Sequence, residues 1–140
     1  MPSSLLHLSW PCLEAILESV NNRKKINYGE LADKLNLKLA IQEWHTVLDS
    51  VAWRTNRDVD KDLTWNVVYA KGPAKGLGRY FSNGGKAPGS ALLDPKDRAQ
   101  VAEYERELEE IYKFTYELQR VEGEDRVIKV PRTIRIGSSL

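Results

Sequence analysis

The sequence predicts an α+β fold, and three observations carry that prediction. Apolar residues recur at helical spacing in three successive segments between Ser9 and Val51. A β-branched and aromatic run from Asp62 to Ala70 follows them. A long helical period then begins at Asp94, and an alternating stretch from Arg126 closes the chain. In this order the elements spell a winged helix-turn-helix with a small antiparallel sheet, extended by a long C-terminal amphipathic helix and a terminal strand. The expected organisation is one domain over residues 1–140, with the winged-helix part at 10–93 and the extension at 94–140. A chain of this length buries roughly two thirds of its unfolded surface, enough for one core.

The first helix is expected to start at Ser9-Trp10-Pro11, with Ser9 as N-cap, and to bury Leu13, Ile16, Leu17 and Val20 before Asn21-Asn22 ends it. Asn27 and Glu30 have the spacing of a capping box, which predicts a short second helix burying Leu31, Ala32 and Leu35. After the turn at Asn36-Leu37-Lys38, a third helix places Ile41, Trp44, Val47, Leu48 and Val51 on one face. Its other face carries Gln42, Glu43, His45, Thr46 and Asp49, the candidate recognition surface. Alternation of Leu63, Trp65, Val67 and Tyr69 predicts a half-buried strand over 62–70. Glycine and proline crowd the next segment, so strand, basic loop and a return piece at Leu77–Phe81 form the expected wing. Val101, Tyr104, Leu108, Ile111 and Leu118 predict a helix running to about residue 120, with acids on its outer faces. Residues 126–136 read as an edge strand interrupted by Pro131.

Composition narrows the class. With 41% hydrophobic and 29% charged residues the chain has a globular balance rather than a disordered one. The single cysteine, Cys12, cannot form an internal disulfide; no secretory signal or membrane-spanning run is visible, so a cytoplasmic location is expected. Net charge is only +1, a weak advertisement for nucleic acid. Its distribution says more: residues 71–86 hold Lys71, Lys75, Arg79 and Lys86 and no acid, interleaved with Tyr80 and Phe81. That pattern suits phosphate contact with an apolar wedge.

No catalytic or metal motif is intact. Asp58-Val59-Asp60-Lys61-Asp62 imitates a calcium loop, but Leu63 stands where glycine is needed and Tyr69 where the closing glutamate belongs. Gly84-Gly85-Lys86 runs into Ala87 and lacks the hydroxyl of a phosphate loop. His7, Cys12 and His45 match no zinc spacing, and Cys12 on an amphipathic helix reads as a structural thiol. No cofactor is expected.

The stretch Ile26-Asn27-Tyr28-Gly29-Glu30-Leu31-Ala32, with Thr64-Trp65-Asn66-Val67-Val68-Tyr69, Gly72 and Leu92-Leu93 after it, resembles the C-terminal domain of the alkyltransferase-like proteins. These are relatives of O6-alkylguanine-DNA alkyltransferase, and the resemblance covers about residues 12–94. It implies a DNA-binding winged helix in which Trp65 occupies the place of the nucleophilic cysteine, so alkyl transfer is not expected. Tyr28 matches the family's tyrosine beside the target phosphate. Asn66 and Val67 replace the family's histidine and arginine, and Gln42 falls near its helix arginine. Taken together, the expected function is non-enzymatic DNA binding through Lys25, Tyr28, Gln42, His45, Thr46, Trp65, Lys71, Lys75, Arg79 and Lys86. The alternative is a protein-binding module on the same scaffold, favoured by near-neutral charge and by the acids on the third and long helices; the long helix offers a surface for dimerisation.

Overall fold

A computed structural model describes Leu5 and residues 7–78, 94–120 and 126–130. Among these it contains four α-helices and two small sheets, a mixed helix-and-sheet protein. In chain order the elements are α1 (Ser9–Asn21), β1 (Ile26–Asn27), α2 (Tyr28–Leu35), α3 (Ile41–Val59), a 3-10 turn (Leu63–Asn66), β2 (Val67–Val68), α4 (Arg98–Ile111), β3 (Glu117–Arg120) and β4 (Arg126–Lys129). No helix among the described residues is long and apolar enough to cross a membrane.

The core forms where α1 lies against α3 and the 3-10 turn, burying Cys12, Leu13, Ile16 and Val20 on one side and Val47, Leu48, Val51 and Leu63 on the other. Tyr104, Leu108 and Ile111 of α4, Tyr116 and Ile128 join the same cluster, so the C-terminal elements complete this core. Ser9 does not cap α1. Leu8 takes that position, and Ser9 is buried within the first turn with its hydroxyl 2.5 Å from the Ser50 hydroxyl of α3. Ile41, expected on the buried stripe, is 46% exposed; as the first residue of α3 it projects beyond the stripe that Trp44 begins.

The strand expected over 62–70 is largely replaced by the 3-10 turn. Asp62 is responsible: one carboxylate oxygen accepts from both the backbone amide and the hydroxyl of Thr64, while the Leu63 amide donates to the Thr55 hydroxyl. Such local side-chain partners compete with a sheet ladder for the backbone. Only Val67 and Val68 remain extended, and they pair with Ile26 and Asn27 in parallel, not in the expected antiparallel sense. The chain does return antiparallel after that, through a bridge between Val68 and Gly78.

The long helix is also shorter than its period suggested. It stops at Ile111, and Leu118 lies on β3, antiparallel to β4 with Leu118 opposite Ile128. Tyr116 marks the change: its N–H donates to the Asn21 side-chain oxygen and its carbonyl accepts from the Asn21 amide nitrogen, each at 2.9 Å. Backbone committed to Asn21 is withdrawn from a helical ladder, and the aromatic Phe114-Thr115-Tyr116 run suits extended structure. The closing strand is described as Arg126–Lys129; Pro131 and the expected continuation to residue 136 lie outside the described residues.

Tyr104 holds the turn, the return segment and α4 together. Its ring is fully buried, its hydroxyl donates to the Trp65 carbonyl at 2.7 Å, and the Gly78 backbone hydrogen-bonds to the same hydroxyl. Gly78 is required by proximity, since a Cβ there would lie 2.3 Å from the Trp65 carbonyl oxygen and 2.9 Å from that of Val67. Replacing Tyr104 by Phe is therefore expected to cost about 1–3 kcal/mol, the penalty for an orphaned buried polar group. Gly78→Ala is expected to cost more, because both close atoms are backbone and cannot step aside. Urea denaturation of the two variants checks this order, and a Tyr104→Phe variant as stable as the parent contradicts the assignment.

Candidate nucleic-acid interface

The capping box read from the sequence forms as expected. The Glu30 amide donates to Asn27 Oδ1 at 2.8 Å and the Asn27 amide donates to Glu30 Oε1 at 2.9 Å, which fixes Tyr28 as the first residue of α2. Asn36 ends that helix in the left-handed region, φ 55°, with its own amide on Asp33 and the Leu37 amide on Ala32. The chain then enters α3, where the Glu43 carboxylate folds back to accept the Ala40 amide at 2.8 Å. This acid is exposed and keeps its negative charge while capping the helix start.

Tyr28 lies at the centre of an aromatic group. Its ring centroid is 5.3 Å from Tyr69 and 6.3 Å from both Trp44 and His45, and the Tyr69 hydroxyl is 3.4 Å from His45 Nε2. The cluster joins the start of α2, one flank of α3 and the end of β2. From Tyr69 the chain makes a compact turn: the Gly76 amide donates to the Tyr69 carbonyl and the Tyr69 amide to the Leu77 carbonyl. Gly72 and Gly76 adopt φ of 84° and 81°, conformations that side-chain-bearing residues rarely take. Lys25 pins the turn from outside, its ammonium donating to the Gly76 carbonyl at 2.8 Å.

The structure brings several expected site residues to this region and sets others apart. Tyr28 and His45 are half-buried neighbours, Gln42 and Thr46 are exposed on α3, and Lys71 and Lys75 are exposed on the turn. Lys25, also exposed, spends its charge within the fold, on Gly76 and 5.6 Å above the Tyr104 ring. Trp65 is a correction: it is 3% exposed, packs 6.3 Å from Tyr104 and belongs to the core rather than to a binding face. Arg79 and Lys86 lie outside the described residues.

Two residues adjoining or in line with these positions escaped the sequence reading. Tyr69 was assigned only to a strand stripe. Trp53, 58% exposed, was not assigned at all, although helical geometry points to it: it follows Gln42 by about three turns and Thr46 by about two. Gln42, Thr46, Asp49 and Trp53 therefore form one outward stripe along α3.

Among the described residues no group of three His, Cys, Asp or Glu side chains is arranged to hold a metal ion. Cys12 is fully buried, and burial pushes its thiol up to about 12, which keeps it protonated and poorly nucleophilic near neutral pH. No protein-family model, characterised protein or solved structure matches this chain.

The thiol gives a pH prediction. Below about pH 9, its ordinary value, folded and unfolded chains both keep the proton and no stability is lost. Between there and about 12 the unfolded chain releases the proton while the folded chain retains it, so stability falls as pH rises. Urea midpoints measured from pH 8 to 10.5 are expected to decline, and Cys12→Ala is expected to flatten the decline. A thiol reagent at pH 8 should label the native protein only at its rate of opening; immediate labelling contradicts the burial.

Proposed function

We propose that this protein is a non-enzymatic DNA-binding protein of winged helix-turn-helix type. In this reading α2 and α3 are the helix-turn-helix pair, α3 offers Gln42 and Thr46 to base edges, and the segment from Tyr69 to Gly78 is the root of a wing. The observation that carries the reading is the Tyr28–His45–Tyr69 cluster, which joins the α2 start and the α3 flank to the residue from which the lysine-bearing turn departs. A helix start, a polar helix flank and a basic turn on a shared support are the parts that engage backbone and groove together. Lys71 and Lys75 supply charge for phosphate, and residues 71–78 contain no acid to oppose them. The alkyltransferase-like resemblance fits the same function, with Trp65 serving the core at the position where those enzymes hold their thiol.

A second reading, a protein-binding module on the same scaffold, draws on one specific feature. Glu105, Glu107, Glu109 and Glu110 are all exposed on α4 and form an acidic surface unsuited to nucleic acid.

Fluorescence anisotropy with random duplex DNA across a salt series tests the leading reading. Binding is expected at low salt with a negative dependence of log affinity on log salt. Replacing Lys71 and Lys75 together by Ala is expected to weaken binding equally for all sequences and to reduce that slope by about 2, roughly 0.9 for each phosphate contact. Absence of duplex binding at low salt overturns the proposal, and an unchanged slope removes the two lysines from the interface.

A further inference from the structure

The chain leaves β2 through Tyr69 and returns to it at Gly78, and the turn between them carries the two lysines assigned to phosphate. Its backbone is permissive. Gly72 and Gly76 both sit at positive φ, and glycine loses more freedom on ordering than any other residue, so a turn built on them is costly to hold in one shape. Across its mouth the Tyr69 amide donates to the Leu77 carbonyl and the Gly76 amide to the Tyr69 carbonyl. Lys25 reaches the same place from outside. Its ammonium donates to the Gly76 carbonyl at 2.8 Å and stands 5.6 Å from the ring centroid of Tyr104, whose hydroxyl meets the Gly78 backbone two positions further on. The base of this lysine is anchored too. The Lys24 carbonyl before it accepts from Asn66 at 2.8 Å, and Ile26 after it pairs with Val67 in the parallel ladder. One cation, rooted in fixed backbone, thus ties the return limb of the turn to the approach of β1.

Resting on the nucleic-acid reading above, we propose that Lys25 is a positioning residue, which orders the turn that carries Lys71 and Lys75 and is not itself a phosphate ligand. Sequence alone grouped the three lysines as like contacts. Geometry separates them: Lys71 and Lys75 are exposed on the turn, whereas Lys25 aims its ammonium at a backbone carbonyl and an aromatic ring within the fold. The carbonyl and the negative face of the ring both favour the cation where it is. A turn already held in its binding shape has less freedom to lose when a ligand arrives, so the lock raises affinity without adding a contact. A distinct signature follows. Affinity depends on Lys25, while the salt dependence, which counts the phosphates neutralised, does not.

The test compares the intact protein with Lys25→Met, Lys25→Arg and Lys24→Met. Lys24 is the control for charge, an adjacent exposed lysine whose ammonium takes no part in these bonds. Amide exchange at Tyr69 and Gly76, read by nuclear magnetic resonance, reports the lock without any ligand, and anisotropy with random duplex DNA across a salt series reports binding. Lys25→Met is expected to speed exchange at both amides about fivefold and to weaken duplex binding about fivefold more than Lys24→Met does. Its salt slope is expected to stay at the parental value. Lys25→Arg, which keeps a charged donor, is expected to restore most of the protection and affinity. Because the side chain is exposed, all three variants should show the parental circular dichroism. Parental exchange in Lys25→Met, with a slope reduced by about 0.9, makes Lys25 a phosphate ligand and overturns this inference while leaving the DNA reading standing. Faster exchange with unchanged affinity also overturns it, since the lock then does not serve binding. Failure of the parent protein to bind duplex at low salt ends both readings.

Discussion

The Tyr104 hydroxyl stands where three pieces of backbone meet: α4 that carries it, the 3-10 turn at Trp65, and the return segment at Gly78. Burial raises this phenol well above its usual range, so it remains a neutral donor and acceptor at any ordinary pH. Everything above it inherits that geometry. With the hydroxyl holding Trp65 and Gly78 at hydrogen-bonding distance, β2 and the turn that carries Lys71 and Lys75 lie between two anchored points, and Tyr69 follows β2 beside Tyr28. The surface proposed to meet nucleic acid is therefore positioned from behind, by a residue of the C-terminal extension.

Two asparagines perform comparable work elsewhere. Asn66 donates to both the Ser19 hydroxyl and the Lys24 carbonyl at 2.8 Å and accepts from the Tyr112 hydroxyl, so one buried amide links α1, the approach to β1 and the end of α4. Asn21 satisfies both backbone groups of Tyr116 as a neighbouring strand would. Irregular backbone inside a small protein leaves polar groups without regular partners, and side-chain amides can take the place of those partners. The two short sheets supply few ladder bonds, so the fold leans on these substitutes.

What was legible in the sequence was local. The Asn27–Glu30 capping box, the helical stripe of α1, that of α3 from Trp44 onward and the turn at Asn36 follow from spacing and short-range chemistry, and each appears where it was read, Ile41 excepted. What was not legible depended on residues distant in sequence. The period through Leu118 is genuinely helical, and only Asn21, 95 positions away from Tyr116, commits that residue to another partner. The alternation through Leu63 and Trp65 is genuinely strand-like, yet Asp62 and Thr55 divert the backbone. The same limit applied to the site. Gln42, His45 and Thr46 were visible as a polar face, whereas the burial of Trp65 required knowing that Tyr104 packs on it. Trp53 was accessible to counting along the helix, but an indole reads as core until its surroundings are known.

The parallel ladder between Ile26–Asn27 and Val67–Val68 has a kinetic side. Its two partners bracket α2 and α3, so forming it closes a loop through the entire helical pair. Loop closure carries an entropic cost that grows slowly with length, and a ladder of two residues is too short to offset it alone. An assembly in which α1 and α3 collapse first around Leu13, Ile16, Val47 and Leu48, so that the ladder closes onto a core already formed, is the expectation from this cost. Native-state fluctuations should retrace that order, with Tyr69 and the lysine turn detaching well before the helices separate. Amide hydrogen exchange would then divide the molecule into a slow helical body and a fast-opening rim, and the rim is where a ligand would find the chain most able to adjust to it.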